Sequence, residues 1–224
     1  MNNRCPNCGG ILELSKSRTM MVCPYCETKF DLDESEREKI LNQGLFNEIF
    51  SVEVDFAPWI EKGGTIASCI ESLKHCMNEI GSAEKVESYI RRSLLNGNDV
   101  AAVGINDKLL DAVRSRLDSE LEGGERILLY YDQGIFSKGK EFTVITDKRC
   151  LSFTKKKCFS VYHKDIGFLN LDTFGNIPCW NINGSYDKRI PSMGPDGHLS
   201  GAAVALVGLL SFEQEPDRER IRIV

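Results

Sequence analysis

The chain has 224 residues, enough for one large domain or for two to three small ones. Hydrophobic residues make up 42% of it and charged residues 27%, the proportions of an ordinary soluble globular protein. The net charge of −5 argues against a general nucleic-acid binder, and the opening MNNRCPNC lacks the apolar run of a secretory signal. We therefore expect a cytoplasmic protein, which is compatible with an odd number of cysteines, nine in all.

The charge is unevenly distributed along the chain. Residues 31–125 carry 20 acidic and 10 basic side chains, whereas residues 137–164 carry eight basic and two acidic ones. We therefore expect a local basic field within an acidic protein.

Two Cys-Pro-x-Cys tetrapeptides lie within the first 26 residues, and 14 residues separate them. Each tight turn points two sulfurs at one point, and four thiolates complete the tetrahedron of a closed zinc site. About 30 residues bury too little apolar surface to fold alone, so the metal must supply the folding free energy. We predict one structural zinc ion bound by Cys5, Cys8, Cys23 and Cys26.

Two alternatives to zinc stay open. The CPYC tetrapeptide at 23–26 also fits a redox dithiol, but only 22 residues precede Cys23, too few for the strand, helix and strand of a thioredoxin-like fold. Iron also suits four sulfurs, and the two turns look like those of rubredoxins, whose intervening segment is longer. Gly9 follows the first pair but Glu27 follows the second; if Glu27 takes φ > 0 there, this costs about 1–2 kcal/mol.

Residues 1–31 resemble a zinc ribbon, as found at the N-termini of many bacterial multidomain proteins. The resemblance implies a structural metal and a surface that binds nucleic acid or protein. It does not imply catalysis, because four cysteine ligands leave no position for an activated water.

The remaining cysteines show no ligand-spaced pair, so we interpret them as small core residues. They are Cys69, Cys76, Cys150, Cys158 and Cys179. A second metal site built from Cys150, Cys158, His163 and Cys179 is the less favoured alternative.

The middle of the chain is predicted to be helical. Residues 32–44 form a charged helical connector, and residues 45–64 are an apolar segment whose type the sequence does not fix. Apolar residues at three- and four-residue steps then predict amphipathic helices over 66–80 and from residue 83 to Gly97, and a third helix begins near Asn106. We therefore assign residues 45–121 to a small helical module.

From residue 122 the hydrophobic period changes to two, which indicates short strands. The seven candidates are RILLYYD, EFTVITD, RCLSF, CFSVYH, IGFLNLD, IPCWNI and SYDKRI. They predict an antiparallel meander, followed by an apolar helix within HLSGAAVALVGLLSFEQE that covers one end or face of a curved sheet. Its longest apolar run, residues 201–210, is too short to span a bilayer. The predicted fold class is α+β with several domains.

Three motifs in residues 122–224 resemble the bacterial pleckstrin-homology-like domains. They are Gly124-Glu125 before the first strand, the Thr-Asp-Lys-Arg turn at 146–149, and Asp165-Ile166 before a later strand. The resemblance implies an antiparallel half-barrel plugged by a C-terminal helix. Two segments depart from it, since PSMGPDGHLSG is longer than the pattern needs and RERIRIV has no counterpart.

Basic side chains lie where related domains bind anions. Eukaryotic pleckstrin-homology domains often bind inositol phosphates through the first hairpin, which corresponds here to Lys138 and Lys140; the next hairpin turn carries Lys155, Lys156 and Lys157. Clustered lysines attract anionic head groups by ~1 kcal/mol each. The plain alternative is that these lysines keep a sheet edge soluble.

The sequence contains no nucleophile elbow, no Gly-rich phosphate loop and no carboxylate–histidine pair at a usable spacing. We therefore expect no enzymatic activity. The favoured hypothesis is a zinc-binding adaptor or scaffold that holds protein partners. The alternatives are a nucleic-acid-associated regulator that uses the ribbon and the basic hairpins, and a peripheral membrane protein whose barrel binds anionic lipid.

Overall fold

The structure, a computed structural model, describes residues 4–14, 20–31, 45–94, 100–133, 139–174, 177–191 and 197–224. These residues form a mixed α+β fold with three β-sheets. The predicted connector at 32–44 and Lys138 lie outside the described residues.

The N-terminal segment forms a three-stranded antiparallel sheet. Its strands are β1 (Glu13–Leu14), β2 (Met20–Val22) and β3 (Lys29–Asp31), paired in that order. The first cysteine pair precedes β1 and the second lies between β2 and β3. The pairing of β1 with β2 therefore brings the two cysteine turns to the same end of the sheet, as expected from the hairpin predicted between them.

The predicted helices at 66–80 and from residue 83 are present, and the predicted end of the second at Gly97 lies outside the described residues. The undecided segment at 45–64 contains both helix and strand. Residues 45–49 are helical, and the following elements are β4 (Phe50–Val52), α1 (Ala57–Lys62), α2 (Gly64–His75), a π-helical turn (Cys76–Ile80) and α3 (Ala83–Ser93). Gly81, at φ 65°, ends the π-helical turn. The Ser82 hydroxyl then accepts the Lys85 amide and caps α3.

The third predicted helix is broken into two short ones. After β5 (Val100–Ala101) come α4 (Asp107–Asp111) and α5 (Arg114–Asp118). Val113 between them has φ −117°, outside the helical region, so the regular hydrogen bonding stops there.

All seven predicted strands are present. They are β6 (Ile127–Asp132), β7 (Phe142–Thr146), β8 (Arg149–Phe153), β9 (Cys158–Tyr162), β10 (Phe168–Phe174), β11 (Ile177–Ile182) and β12 (Ser185–Ile190). One antiparallel sheet has the order β5-β6-β7-β8-β9, and β10, β11 and β12 form a second meander. The helix α6 (His198–Gln214) follows. Two meanders and a C-terminal helix agree with the expected half-barrel.

The last strand corrects the prediction of a purely antiparallel meander. RERIRIV, which has no counterpart in the resemblance, contains β13 (Ile221–Ile223). This strand lies inside the second sheet and runs parallel to both β10 and β4, in the order β12-β11-β10-β13-β4. Ile221 and Ile223 are fully buried while Arg222 points outward, which is the alternation of a half-buried strand.

Helix α6 is buried on all sides. Residues 199–211 are all buried, because the sheet packs on one side of the helix and α2 and α3 pack on the other. The crossing with α2 is so close that a Cβ atom on Gly201 would lie 2.0 Å from the carbonyl oxygen of Cys69. A glycine at this position lets the two backbones meet.

Two hydrophobic cores hold these layers together. The larger core combines residues of the helices at 45–94, of α6 and of both large sheets, with Trp180 among its fully buried side chains. The smaller core lies where α4 and α5 cover the opposite face of β6, β7 and β8. The predicted boundary between 121 and 122 therefore runs through shared sheets and shared cores, because β4 and α2 need the C-terminal segment as their packing partner.

Candidate metal centre and basic sheet edge

The two cysteine turns have the same backbone geometry. In the first turn the Gly9 amide donates to the Cys5 carbonyl at 2.8 Å, and in the second the Glu27 amide donates to the Cys23 carbonyl at 2.8 Å. Gly9 has φ 73° and Glu27 has φ 57°, so both turns close through the left-handed region. The positive φ considered for Glu27 is thus present.

The four predicted ligands are brought together. All four Sγ atoms lie within 4.8 Å of one another; the distance is 3.6 Å between Cys5 and Cys26 and 3.4 Å between Cys8 and Cys23. Sulfurs on a tetrahedron around an ion at ~2.3 Å are about 3.8 Å apart, so the cluster matches such a site closely. The cysteines are free thiols that can hold a metal ion.

The environment of Cys26 favours its thiolate. The hydroxyl and the backbone amide of Thr28 lower the pKa of the Cys26 thiol to about 6. Thr28 is itself held by the side-chain amide of Asn7 at 3.1 Å, which comes from the opposite turn. Metals bind thiolates, so the contact with Thr28 favours the form of Cys26 that binds a metal.

Three of the other five cysteines, Cys69, Cys76 and Cys150, are buried as expected of core residues, whereas Cys158 and Cys179 are half-buried. Burial raises the pKa of Cys69 to about 11 and the pKa values of Cys76 and Cys150 to about 12, which makes all three poor nucleophiles. Cys69 accepts the indole N–H of Trp180 at 3.3 Å. The alternative second metal site is wrong: among the described residues only the four N-terminal cysteines form a cluster of three or more metal-binding side chains.

Two of the three motifs of the pleckstrin-homology resemblance, Gly124-Glu125 and the turn at 146–149, form one hydrogen-bonded network, and Asp165-Ile166 lies outside it. The Thr146 hydroxyl accepts the amides of Lys148 and Arg149, as expected for a turn. Glu125 has no exposed side-chain surface and binds the Arg149 guanidinium at 2.9 Å and the Thr146 hydroxyl at 2.6 Å. Burial alone would raise the pKa of Glu125, but these bonds lower it below its usual range. The network ties the start of β6 to the turn between β7 and β8.

A buried histidine lies beside this network. The His163 side chain is fully buried, and its Nε2 lies 2.9 Å from the Thr146 carbonyl oxygen, so Nε2 carries the proton. Burial lowers the pKa of His163 to about 4, which keeps the ring neutral at physiological pH. This histidine therefore has a structural role in the core.

The predicted basic turns lie at the same end of their sheet. Arg116 donates to the carbonyls of Gly139 and Lys140 in one turn and to the carbonyl of Thr154 in the next, at 2.6 to 3.1 Å. Its guanidinium also stacks on the rings of Phe142 and Phe153. The exposed lysines at 140 and 155–157 therefore share one surface. Sequence reasoning missed Arg116, because only the tertiary contacts place α5 beneath these turns.

A groove of about 660 Å³ lies between α3, α6 and the start of β6. Leu128, Leu206 and Leu210 form its floor, and the Glu87–Arg126 ion pair lies across it with both N–O distances at 3.0 Å. Arg126 and Glu87 therefore balance each other's charge within the groove.

No protein-family model and no curated protein sequence matches the chain. Among solved structures, a DUF1696 family protein with a pleckstrin-homology domain from Shewanella loihica PV-4 aligns with 51% of this chain and 99% of its own length. The two are 20% identical, with a TM-score of 0.33. Within the described part of the chain, every helix is too short or too polar to cross a membrane.

Proposed function

We propose that the protein is a non-enzymatic adaptor whose N-terminal lobe is a zinc ribbon. The observation that carries the proposal is the all-sulfur cluster of Cys5, Cys8, Cys23 and Cys26. Zinc suits four thiolates in tetrahedral geometry, and when bound it offsets half of their negative charge and supplies the folding free energy of the lobe. With four protein ligands no position is left for a reacting water, so the metal is a structural one.

The remaining described residues support a binding role rather than catalysis. The most strongly perturbed groups outside the ribbon, His163 and the buried thiols, lie in the cores and not in a cleft. The buried Glu125–Arg149 pair is satisfied by structural contacts. A rigid helix-and-sheet body joined to a metal-stabilised lobe is suited to holding protein partners.

The metal assignment is tested by elemental analysis of protein purified under reducing conditions. We expect one zinc per chain in the wild type and in Cys179→Ser, a half-buried cysteine outside the cluster, and no zinc in Cys23→Ser. Cys23→Ser should lose the structure of residues 1–31 while the fluorescence of the buried Trp180 keeps its native spectrum. A Cys23→Ser protein that keeps its zinc would refute the four-ligand site.

The adaptor role is tested by cross-linking the zinc-loaded protein in cells of its host and measuring the affinity of each captured protein with purified components. We expect at least one partner that binds at physiological salt and is lost from Cys23→Ser or from a chain lacking residues 1–31. Tighter binding to DNA, RNA or anionic vesicles than to any protein would contradict the proposal, since nucleic-acid binding mediated by phosphate contacts weakens steeply with salt.

A further inference from the structure

Strand β9 is an open edge of the sheet with the order β5-β6-β7-β8-β9. It pairs with β8 on one side, and the described residues place no strand on its other side. An open edge presents unpaired amides and carbonyls to which another extended chain can add.

The hydrogen-bond register shows which groups point outward. The His163 amide donates to Lys148 and the Thr154 amide donates to Lys157, and the same register pairs Val161 with Cys150. Antiparallel ladders alternate, so residues 157, 159, 161 and 163 direct their backbone groups toward β8. The amides and carbonyls of Cys158, Ser160 and Tyr162 therefore point away from the sheet, and within the described part of the chain no backbone group binds them.

Cations lie at both ends of this edge. Lys156 and Lys157 in the turn before β9, and Lys164 after it, are exposed and form no ion pair with any described residue. The Lys155 ammonium is 3.8 Å from the Glu141 carboxylate, which balances part of its charge. An extended chain that adds to β9 thus passes between Lys156 and Lys157 at one end and Lys164, which the exposed Asp165 follows, at the other.

This charge distribution disfavours a second copy of the chain, paired about Ser160, as the occupant. Antiparallel pairing of two β9 strands about Ser160 would place Lys156 of each copy opposite Lys164 of the other. Like charges directly opposite each other are destabilising, whereas carboxylates at the same positions would be attracted. The backbone ladder favours a peptide over a lipid or a nucleic acid, because neither of those has alternating N–H and C=O groups.

We propose that β9 is the docking strand for an extended acidic segment of a partner protein. The inference rests on the proposed adaptor function and assigns its partner class: a strand with Asp or Glu at its ends that pairs with Cys158, Ser160 and Tyr162. The lysines provide attraction and orientation, and the backbone bonds provide the affinity.

The test uses the full, zinc-loaded chain and fluorescein-labelled eight-residue peptides in which Glu or Asp alternates with Val, Ile or Phe, with Lys/Val peptides as the matched control. Fluorescence anisotropy in 50 and 500 mM salt should show binding of acidic peptides that weakens with salt, and no binding of the Lys/Val peptides. Failure of every acidic peptide to bind would overturn the inference, as would equal binding of the Lys/Val peptides.

Protein variants locate the site. Ser160→Pro removes an outward N–H without breaking a ladder bond with β8, so the fold should persist while peptide affinity falls at least about tenfold. Ser160→Ala, which keeps the amide, should bind within about twofold of wild type. The double variant Lys156→Glu with Lys157→Glu should bind about fivefold more weakly, as expected for two exposed charges.

Peptide variants test the same site without changing the protein. N-methylation of alternate residues on one edge of the peptide should abolish binding, and methylation of the other residues should not. If Ser160→Pro and the lysine variant both bind the peptide as the wild type does, β9 is not the site, although the adaptor proposal would still stand on its own cross-linked partner. Binding of polyadenylate RNA or phosphatidylserine vesicles that is tighter than peptide binding and unchanged in Ser160→Pro would also overturn it.

Discussion

Replacement of Glu125 by alanine should be among the most destabilising single changes in the barrel. The Glu125 side chain has 0% exposure and its partner Arg149 has 9%, so the substitution leaves a buried guanidinium without its nearest counter-charge. Breaking a buried pair by removing one partner costs about 3–5 kcal/mol. The guanidinium would keep the Glu120 carbonyl at 2.6 Å, the Ser160 hydroxyl and the Glu122 carboxylate at 3.7 Å. Glu122 is 40% exposed and forms no short bond to Arg149, so it replaces only part of what the buried Glu125 carboxylate provides.

The chain offers a matched control in a second Arg–Glu pair. Glu53 binds Arg222 through two bonds at 2.6 and 2.9 Å, but its side chain is 44% exposed and that of Arg222 is 56% exposed. Solvent screens this pair, so Glu53→Ala should cost about 0–1 kcal/mol. The comparison separates the effect of burial from the effect of hydrogen-bond geometry.

Urea unfolding followed by tryptophan fluorescence measures both variants, because Trp180 is fully buried in the larger core. Replacing both partners, Glu125→Leu with Arg149→Met, should recover part of the loss, since no unpaired charge remains. If Glu125→Ala unfolds at the same urea concentration as Glu53→Ala, burial of the pair does not determine its contribution and the reasoning is refuted.

Three further changes follow from the structure. His163 has a pKa of about 4 in the fold and ~6.5 when unfolded, so its protonation should lower the unfolding free energy by about 2–3 kcal/mol as the pH drops from 7 to 4.5. His163→Asn should lack this part of the fall and keep only that of the carboxylates with lowered pKa values, such as Glu125; equal slopes in acid denaturation would contradict this. Gly201→Ala should cost about 3 kcal/mol by overpacking the helix crossing, whereas Gly123→Ala, whose Cβ meets nothing within 4 Å, should change the melting temperature little. Glu27→Gly should stabilise the metal-loaded ribbon by about 1 kcal/mol, and Gly9→Ala should destabilise it similarly; zinc titrations that show no opposite shifts would reject the φ argument.

Local chemistry made the four cysteines predictable from sequence. A Cys-Pro-x-Cys turn fixes the relative positions of its two sulfurs within a few residues, and the left-handed residue after each pair is part of the same turn. The strands from β6 to β12 were predictable for a related reason, because a period of two is a property of one strand and its own exposed and buried faces.

The break at Val113 and the parallel strand β13 were not predictable in this way. A stretch such as IRI at 221–223 has strand character, but its neighbours β10 and β4 are about 50 and 170 residues away along the chain. Nothing in a short window of sequence specifies such a partner. The Arg116 contacts to three carbonyls depend in the same way on where α5 packs.

By itself, the sequence determined the sulfur cluster, the mixed α+β class and the positions of strands β6 to β12, because each depends on interactions within a few residues. Only the tertiary structure decided that residues 45–94 share a core with the C-terminal helix, that Glu125 and Arg149 form a buried pair, and that β9 is an open edge with exposed lysines at its ends. These features depend on which distant surfaces exclude water together, and the free energy of that burial belongs to the assembled fold and to no single segment.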